Sequence, residues 1–479
     1  MLQQTKGKLF QTLDKYLYQN PNDIHSLSPR RTILKWFALF FCCMSTMGGY
    51  YCHDAVSPLQ TPIMEIFNIN STKFNFLFSA YSIPNIIMPL LGGFIIDKLG
   101  VRFGLTLFAF LICIGQTIIT FGAKNLSFNA MIIGTGIMGM GLDALCAAKS
   151  TMVVKWFQGQ ELAFAMGLTL TISRLGSSLS SYISPWLYAS TSNLAVPMQL
   201  GVYLGLLSLA LIGLLCLLDY YADEKEGKLN TDKNNPKEKF QISSMKNFQL
   251  IFYLIMLNCM IAYSVIKGFL NNASDLMNKR LGFNPELSGK YLSIVFILAT
   301  IFSPIFGAMA DRIGRRVMFL LGSFILLGFV HVGVLTLSDS EPNNPNSNIL
   351  FPLIGIGIAF SAYAAIIWPS VSLVVEEKAN GTAYGFVLAM QNLMLSIVPI
   401  VIGFIHDKTI EVSYGYFWTE IFLLILTFVG ILATILIKKE DAKTGGVLEA
   451  PPNADKETVY GQLPEENKEI ELPTVRTSN

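Results

Sequence analysis

Apolar stretches of about 20 residues, almost free of charge, recur from residue 34 to residue 437, and they constrain the fold more than any other feature. A helix rises 1.5 Å per residue, so each stretch matches about 30 Å of hydrocarbon. In hydrocarbon every backbone amide must be satisfied within the protein, which leaves only helices and closed barrels as spanning structures. The alternating pattern of a barrel is absent. The expected fold is therefore an all-α membrane protein, with spans near 34–53, 74–97, 103–123, 128–155, 161–188, 197–219, 247–272, 287–310, 317–337, 349–375, 382–405 and 414–437. Only 14% of residues are charged, against roughly 25% in soluble domains.

The residues before the first span are polar and hold no cleavable signal pattern, so that span is expected to act as the insertion signal. Residues 221–246 are charged and poor in large apolar side chains, as a solvated linker is. The expected units are a cytosolic segment 1–33, a six-helix bundle 34–220, a cytosolic linker 221–246, a second bundle 247–438 and a disordered cytosolic tail 439–479. With the N-terminus in the cytosol, 22 basic residues fall inside and six outside. The positive-inside rule then puts both termini in the cytosol and requires an even number of spans. The seven cysteines have no metal-ligand spacing, and no nucleophile–base set or nucleotide loop is visible. No enzyme activity, cofactor, metal or nucleic-acid partner is expected. The expected partners are membrane lipid and a small-molecule substrate.

The halves repeat each other. Gly93-Phe94-Ile95-Ile96-Asp97-Lys98-Leu99-Gly100-Val101-Arg102 is matched 214 residues on by Gly307-Ala308-Met309-Ala310-Asp311-Arg312-Ile313-Gly314-Arg315-Arg316. Gly93 and Gly307 are expected to let helices approach closely. Asp97 and Asp311 can pair with arginines such as Arg102 and Arg315 or sit at a helix N-terminus. The pattern resembles the cytoplasmic motif of the major facilitator superfamily, and the likeness extends over residues 34–437. It implies twelve helices in two bundles of six that rock around a central site, with the motif gating the cytosolic side.

Other stretches resemble one branch of that superfamily, the lysosomal dipeptide uniporters. They include Gly49-Tyr50-Tyr51-Cys52-His53-Asp54, Asn70-Ser71-Thr72-Lys73-Phe74, Trp156-Phe157-Gln158-Gly159-Gln160-Glu161-Leu162 and Gly381-Thr382-Ala383-Tyr384-Gly385-Phe386. The resemblance implies movement of dipeptides from lysosome lumen to cytosol without obligatory proton coupling. It also implies a glycosylated single-span lysosomal accessory protein. Proton-coupled peptide carriers usually place acids in the first helix. Span one has none before Asp54 at its outer end, which favours uniport. The competing readings are a carrier for another small organic anion or zwitterion, with or without proton coupling, and a receptor or scaffold without flux.

An ionisable side chain at mid-membrane costs about 2.5–3.5 kcal/mol on an isolated helix and usually marks function. Asp143, Lys149, Arg174, Lys267 and His331 lie inside spans. Asp143 and Arg174 stand 14 residues either side of the loop at 157–160, so both lie about 21 Å from the turn, at one depth. They are expected to form an ion pair or to face one cavity. There Arg174 can fork onto a substrate carboxylate and Asp143 can receive an amine. The resemblance implies an acid, there a glutamate, and an arginine at these positions, and an uncharged amide where this chain has Lys149. Lys149 lies about 9 Å nearer the cytosol and roughly 120° round the helix, as a specificity group or a second partner for Asp143. Lys267 is either a cavity residue or a snorkelling one. His331 is expected to be buried and hydrogen-bonded. A shift of 218 residues aligns Arg174 with Asn392 and Asp143 with Ser361. Trp368, Gln391 and Asn392 are the candidate cavity contacts of the second half.

Tyr460 and Leu463 fit a tyrosine-based endolysosomal sorting pattern in the tail. Sequons begin at Asn70, Asn125, Asn272 and Asn380, of which Asn70 and Asn272 are expected to carry glycans.

Overall fold

The computed structural model describes residues 29–157, 160–226, 248–375 and 379–450, and no strand occurs among them. Fourteen α-helices follow one another in the described residues. The first half holds α1 (Leu34–Asp54), the short α2 (Gln60–Phe67), α3 (Ser71–Asn85), α4 (Met88–Leu99), α5 (Val101–Lys124), α6 (Phe128–Trp156), α7 (Gln160–Thr191) and α8 (Ala195–Lys225). The second holds α9 (Leu250–Asp275), α10 (Pro285–Ile313), α11 (Arg316–Thr336), α12 (Leu350–Leu373), α13 (Asn380–Lys408) and α14 (Tyr416–Lys443). Among the described residues nine helical segments are long and apolar enough to span a membrane, and α3 with α4 makes a tenth span, bent by 46°. The helices α1 and α7, with 21 and 32 residues, have the length to complete twelve. The bend replaces the straight span expected over 74–97. Pro84 and Pro89 bracket the break, and neither has an amide hydrogen to carry the ladder across it.

Each half has its own apolar core, one built from Leu34 to Ala222 and the other from Ile251 to Leu448. The halves meet where α7 packs on α10 and α3 on α13. The 214-residue repeat extends to the caps. Asn70 accepts from the Lys73 amide at 3.1 Å to start α3, and Asn284 accepts from the Leu287 amide at 2.8 Å to start α10. Gly100 and Gly314 end the matching helices at φ 89° and 71°, a region where a side chain is strained. The other motif glycines are not close-packed, contrary to expectation. A Cβ added to Gly93 or Gly307 would meet nothing within 4 Å.

We call the end where the motif lies the basic face and the opposite end the far face. At the basic face Asp219 and Asp223 of α8 gather Arg30, Arg102 and Lys155, with Arg102 Nε and Lys155 Nζ at 2.7 and 2.8 Å from Asp219. Trp156 Nε1 adds a hydrogen bond of 3.0 Å to Asp219. That network carries α8 as a helix to Lys225, past the expected boundary at 220. Residues 439–450, expected to belong to a disordered tail, are described, and they pack on the second half. Leu448 is fully buried, its carbonyl accepts from the Arg316 amide at 3.0 Å, and Asp441 accepts from the Leu448 amide at 3.0 Å. Residues 451–479, with Tyr460 and Leu463, lie outside the described residues.

Candidate functional site

Of the charges singled out in the sequence, Asp143, Arg174 and Lys267 are brought to the seam between the halves, and Asp143 and Arg174 do not form an ion pair there. Among the described residues Asp143 makes no ion pair. Its carboxylate accepts from Tyr81 Oη at 3.1 Å and, across the seam, from Asn392 Nδ2 at 3.3 Å. The Arg174 guanidinium lies 4.3 Å from the centroid of the Phe360 ring, also across the seam, and its buried Nη1 has no hydrogen-bond partner. Tyr50 lies within electrostatic reach of both charges. Asp143 is thus held by neutral donors and Arg174 by an aromatic face. Among the described residues neither is matched by an opposite charge within ion-pair distance.

Lys149 is 3% exposed and does not pair with Asp143. Its neighbours include the thiols of Cys42, Cys43 and Cys146, and no carboxylate is within ion-pair distance among the described residues. Lys267 neither snorkels nor stands free. Its Nζ is 3.5 Å from Asp54, which also takes a 2.6 Å hydrogen bond from His53 Nδ1. The His53 ring packs edge-on against Tyr81, with centroids 4.4 Å apart. One chain of contacts therefore runs from Lys267 through Asp54 and His53, across the His53–Tyr81 ring contact, to Asp143 and Asn392, leaving the second half and returning to it.

Trp368 donates to Tyr263 Oη at 2.9 Å and stacks on Tyr384. Tyr263 also packs on Phe360. Tyr263, Phe360 and Trp368 form an aromatic wall beside Arg174. Gln391 Oε1 accepts from Cys259 Sγ at 3.5 Å, and Asn392 is 2% exposed. His331 is buried as expected, with Nδ1 2.7 Å from Glu420.

Toward the far face the halves are tied by polar groups. Asp407 of α13 accepts from the Ser71 and Thr72 amides, both at 2.9 Å, and so caps α3 of the other half. Thr61 donates to Asp275 at 2.6 Å and Gln60 to Asn272 at 3.1 Å. Asn272 is 4% exposed, and its amide nitrogen donates to Asn75 and to the Gly268 carbonyl. It has no room for the expected glycan, whereas Asn70 is exposed. Among the described residues, no hydrogen bond or ion pair crosses the seam at the basic face. Asp97 is exposed there without an ion pair, Asp311 pairs with Arg316 at 3.2 Å, and Arg315 is exposed. The molecule is shut on the far face and untied on the basic face.

Sequence reasoning missed Tyr50, Tyr81, His53, Asp54, Tyr263, Phe360 and Asp407. His53 and Asp54 stood in a quoted motif, and a His–Asp pair at the end of a span is a readable signal. The aromatic residues gave none, because a tyrosine in an apolar helix reads as packing.

The family model described as Major Facilitator Superfamily matches residues 36–289 and 257–463. The "Lysosomal dipeptide transporter MFSD1" of Homo sapiens is 29% identical over 430 residues, covering 88% of this chain and 89% of that protein. Its Mus musculus counterpart is 30% identical, covering 91% and 93%. A "Hexuronate transporter" of Escherichia coli (strain K12) is 23% identical over 78% of this chain and 88% of its own length. Among solved structures, the nucleoside transporter NupG superposes with a TM-score of 0.68 at 13% identity, covering 84% of this chain and 99% of that one. The peptide transporter POT gives 0.66 at 10% identity, covering 86% and 96%. These two show the shared fold.

Proposed function

The chain belongs to the Major Facilitator Superfamily, is an integral membrane transporter and not an enzyme, and on that premise we propose that it is a dipeptide uniporter working from lysosome lumen to cytosol. The basic face is the cytosolic one in this reading, and both termini are cytosolic. The observation that carries it is that Asp143 and Arg174, both within electrostatic reach of Tyr50, make no ion pair among the described residues. A dipeptide has an amine at one end and a carboxylate at the other, and each finds a charge not yet neutralised by protein. Burial in the seam raises the worth of both contacts. Tyr263, Phe360 and Trp368 offer flat apolar surface to side chains of many shapes, which suits a broad dipeptide carrier.

The far-face ties describe the state in which substrate leaves to the cytosol. Opening the lumenal side means breaking the Asp407 cap on α3 and the Asp54–Lys267 pair. Closing the cytosolic side brings a partner surface against Gly93 and Gly307, which now face open space, and gives Asp97 a partner. The Asp54–His53–Tyr81 chain leads from that lumenal latch to Asp143, so substrate amine and latch act on one network. A glycosylated accessory protein on the lumenal side is part of this proposal.

Two free cations, Arg174 and Lys149, against one free carboxylate favour a second reading, a carrier of small organic anions. Counterflow into liposomes separates the two. Preloaded dipeptide accumulates labelled dipeptide if the proposal holds. Accumulation of a hexuronate or a monocarboxylate instead supports the alternative.

A further inference from the structure

One groove lies beside the repeated motif of the second half and away from Asp143 and Arg174. The helices α10 and α11 both pack on α12 and leave a cleft of about 400 Å³ between them. Its walls are Phe306 and Ile313 of α10, Met318, Phe319 and Leu326 of α11, and Ile358 of α12. Gly322 keeps it open, since a Cβ there would meet nothing within 4 Å. The groove begins at Arg315, at the basic face, and reaches Leu326, 11 residues on. That is about 16 Å along a helix, close to the roughly 15 Å depth of one leaflet's hydrocarbon.

Its mouth is cationic. Arg315 lines it, and Lys438 Nζ of α14 is 3.4 Å from Met318 Sδ at its edge. Among the described residues neither cation has a carboxylate within ion-pair distance. Three nearby acids are already engaged, Asp311 by Arg316 at 3.2 Å, Glu440 by Lys443 at 3.0 Å and Asp441 by the Leu448 amide; Glu449, whose carbonyl accepts from the Arg315 amide at 3.2 Å, turns its carboxylate inward, where Oε1 is buried without a partner.

We propose that this groove binds an anionic phospholipid of the basic-face leaflet, one acyl chain lying along α11 from Phe319 to Leu326 and the headgroup between Arg315 and Lys438. Paired cations at the lipid–water boundary attract anionic headgroups. A zwitterionic headgroup brings its own cation next to Arg315 and Lys438 and gains little. Two such cations correspond to roughly a thirtyfold preference. The site stands apart from Asp143 and Arg174 and does not depend on which solute is carried.

Native mass spectrometry of the full chain, equilibrated with equal amounts of phosphatidylserine and phosphatidylcholine, tests it. The unaltered protein is expected to retain phosphatidylserine in large excess. Arg315→Gln with Lys438→Gln levels the two lipids, while Arg315→Lys with Lys438→Arg keeps the excess and shows that charge is what matters. Gly322→Phe fills the groove and lowers retention of phosphatidylserine although both cations remain. Equal retention by the unaltered protein overturns the proposal. So does an excess that survives either the double glutamine change or the filled groove.

Discussion

Asp407→Asn is expected to open the far face. The carboxylate sits at the N-terminus of α3 in the opposite half and accepts from Ser71 N and Thr72 N at 2.9 Å and from Thr72 Oγ1 at 2.5 Å. A hydrogen bond to a charged group contributes about 1.5–3 kcal/mol, and an anion at a helix N-terminus adds about 0.3–1 kcal/mol. Asparagine keeps one acceptor oxygen but turns an NH₂ toward an N–H. One of the three bonds and the charge are lost, about 2–3 kcal/mol in all. The loss falls only on the state in which the halves touch here. It therefore shifts the balance toward the far-face-open state roughly 30- to 150-fold. Spin labels on Lys124→Cys and Asn343→Cys, exposed far-face positions in opposite halves, read the change as a longer distance. Thr72→Val removes the hydroxyl bond alone and gives a smaller shift in the same direction. An unchanged distance distribution in Asp407→Asn refutes the reasoning, for then the cap carries no share of the closure.

A Cβ at Gly93 meets nothing within 4 Å, so Gly93→Leu is expected to keep thermal stability within about 0.5 kcal/mol; it should block closure of the basic face, slow transport at least tenfold and abolish the long far-face distance. Full transport by this variant removes the gating role of the motif. Lys149→Gln should raise the relative affinity of dipeptides with Lys or Arg side chains in competition assays. Like charges about 6 Å apart at an effective dielectric near 20 repel by about 2.8 kcal/mol, which sets an upper limit of roughly a hundredfold. Unchanged competition means that Lys149 does not act on the substrate. Leu448→Ala empties a fully buried site under the start of α11; a loss of about 2–5 kcal/mol is expected in thermal or denaturant unfolding, and none if the segment after α14 does not pack there.

The helical architecture could be read from the sequence because length and polarity are what the bilayer selects. The 214-residue repeat was equally legible, and the structure extends it from Gly93 and Gly307 to the caps at Asn70 and Asn284. The close packing expected of Gly93 and Gly307 was not, because a glycine's place in a motif does not say which neighbour its face meets, and here it meets none within 4 Å. Equal depth for Asp143 and Arg174 followed from helical rise, but rise says nothing about side-chain partners. Tyr81 and Phe360, which hold the two charges, lie on α3 and α12, and no spacing rule links them. Lys267 read as a single charge near a span end, and its pairing with Asp54 needed the two halves to be docked. Asn272 fitted a sequon, but burial in the seam excludes a sugar there.

The central claim is that Asp143 and Arg174 hold the two ends of a dipeptide, and end-blocked substrates test it most directly. Counterflow of a labelled neutral dipeptide is measured in proteoliposomes against unlabelled competitors: the free dipeptide, its N-acetyl form and its C-terminal amide. The account predicts that the free dipeptide competes and that either block weakens competition at least tenfold. It further predicts that Arg174→Gln no longer distinguishes the amide from the free acid, while Asp143→Asn no longer distinguishes the N-acetyl form. Blocked dipeptides that compete as well as free ones, or variants that keep both distinctions, contradict it.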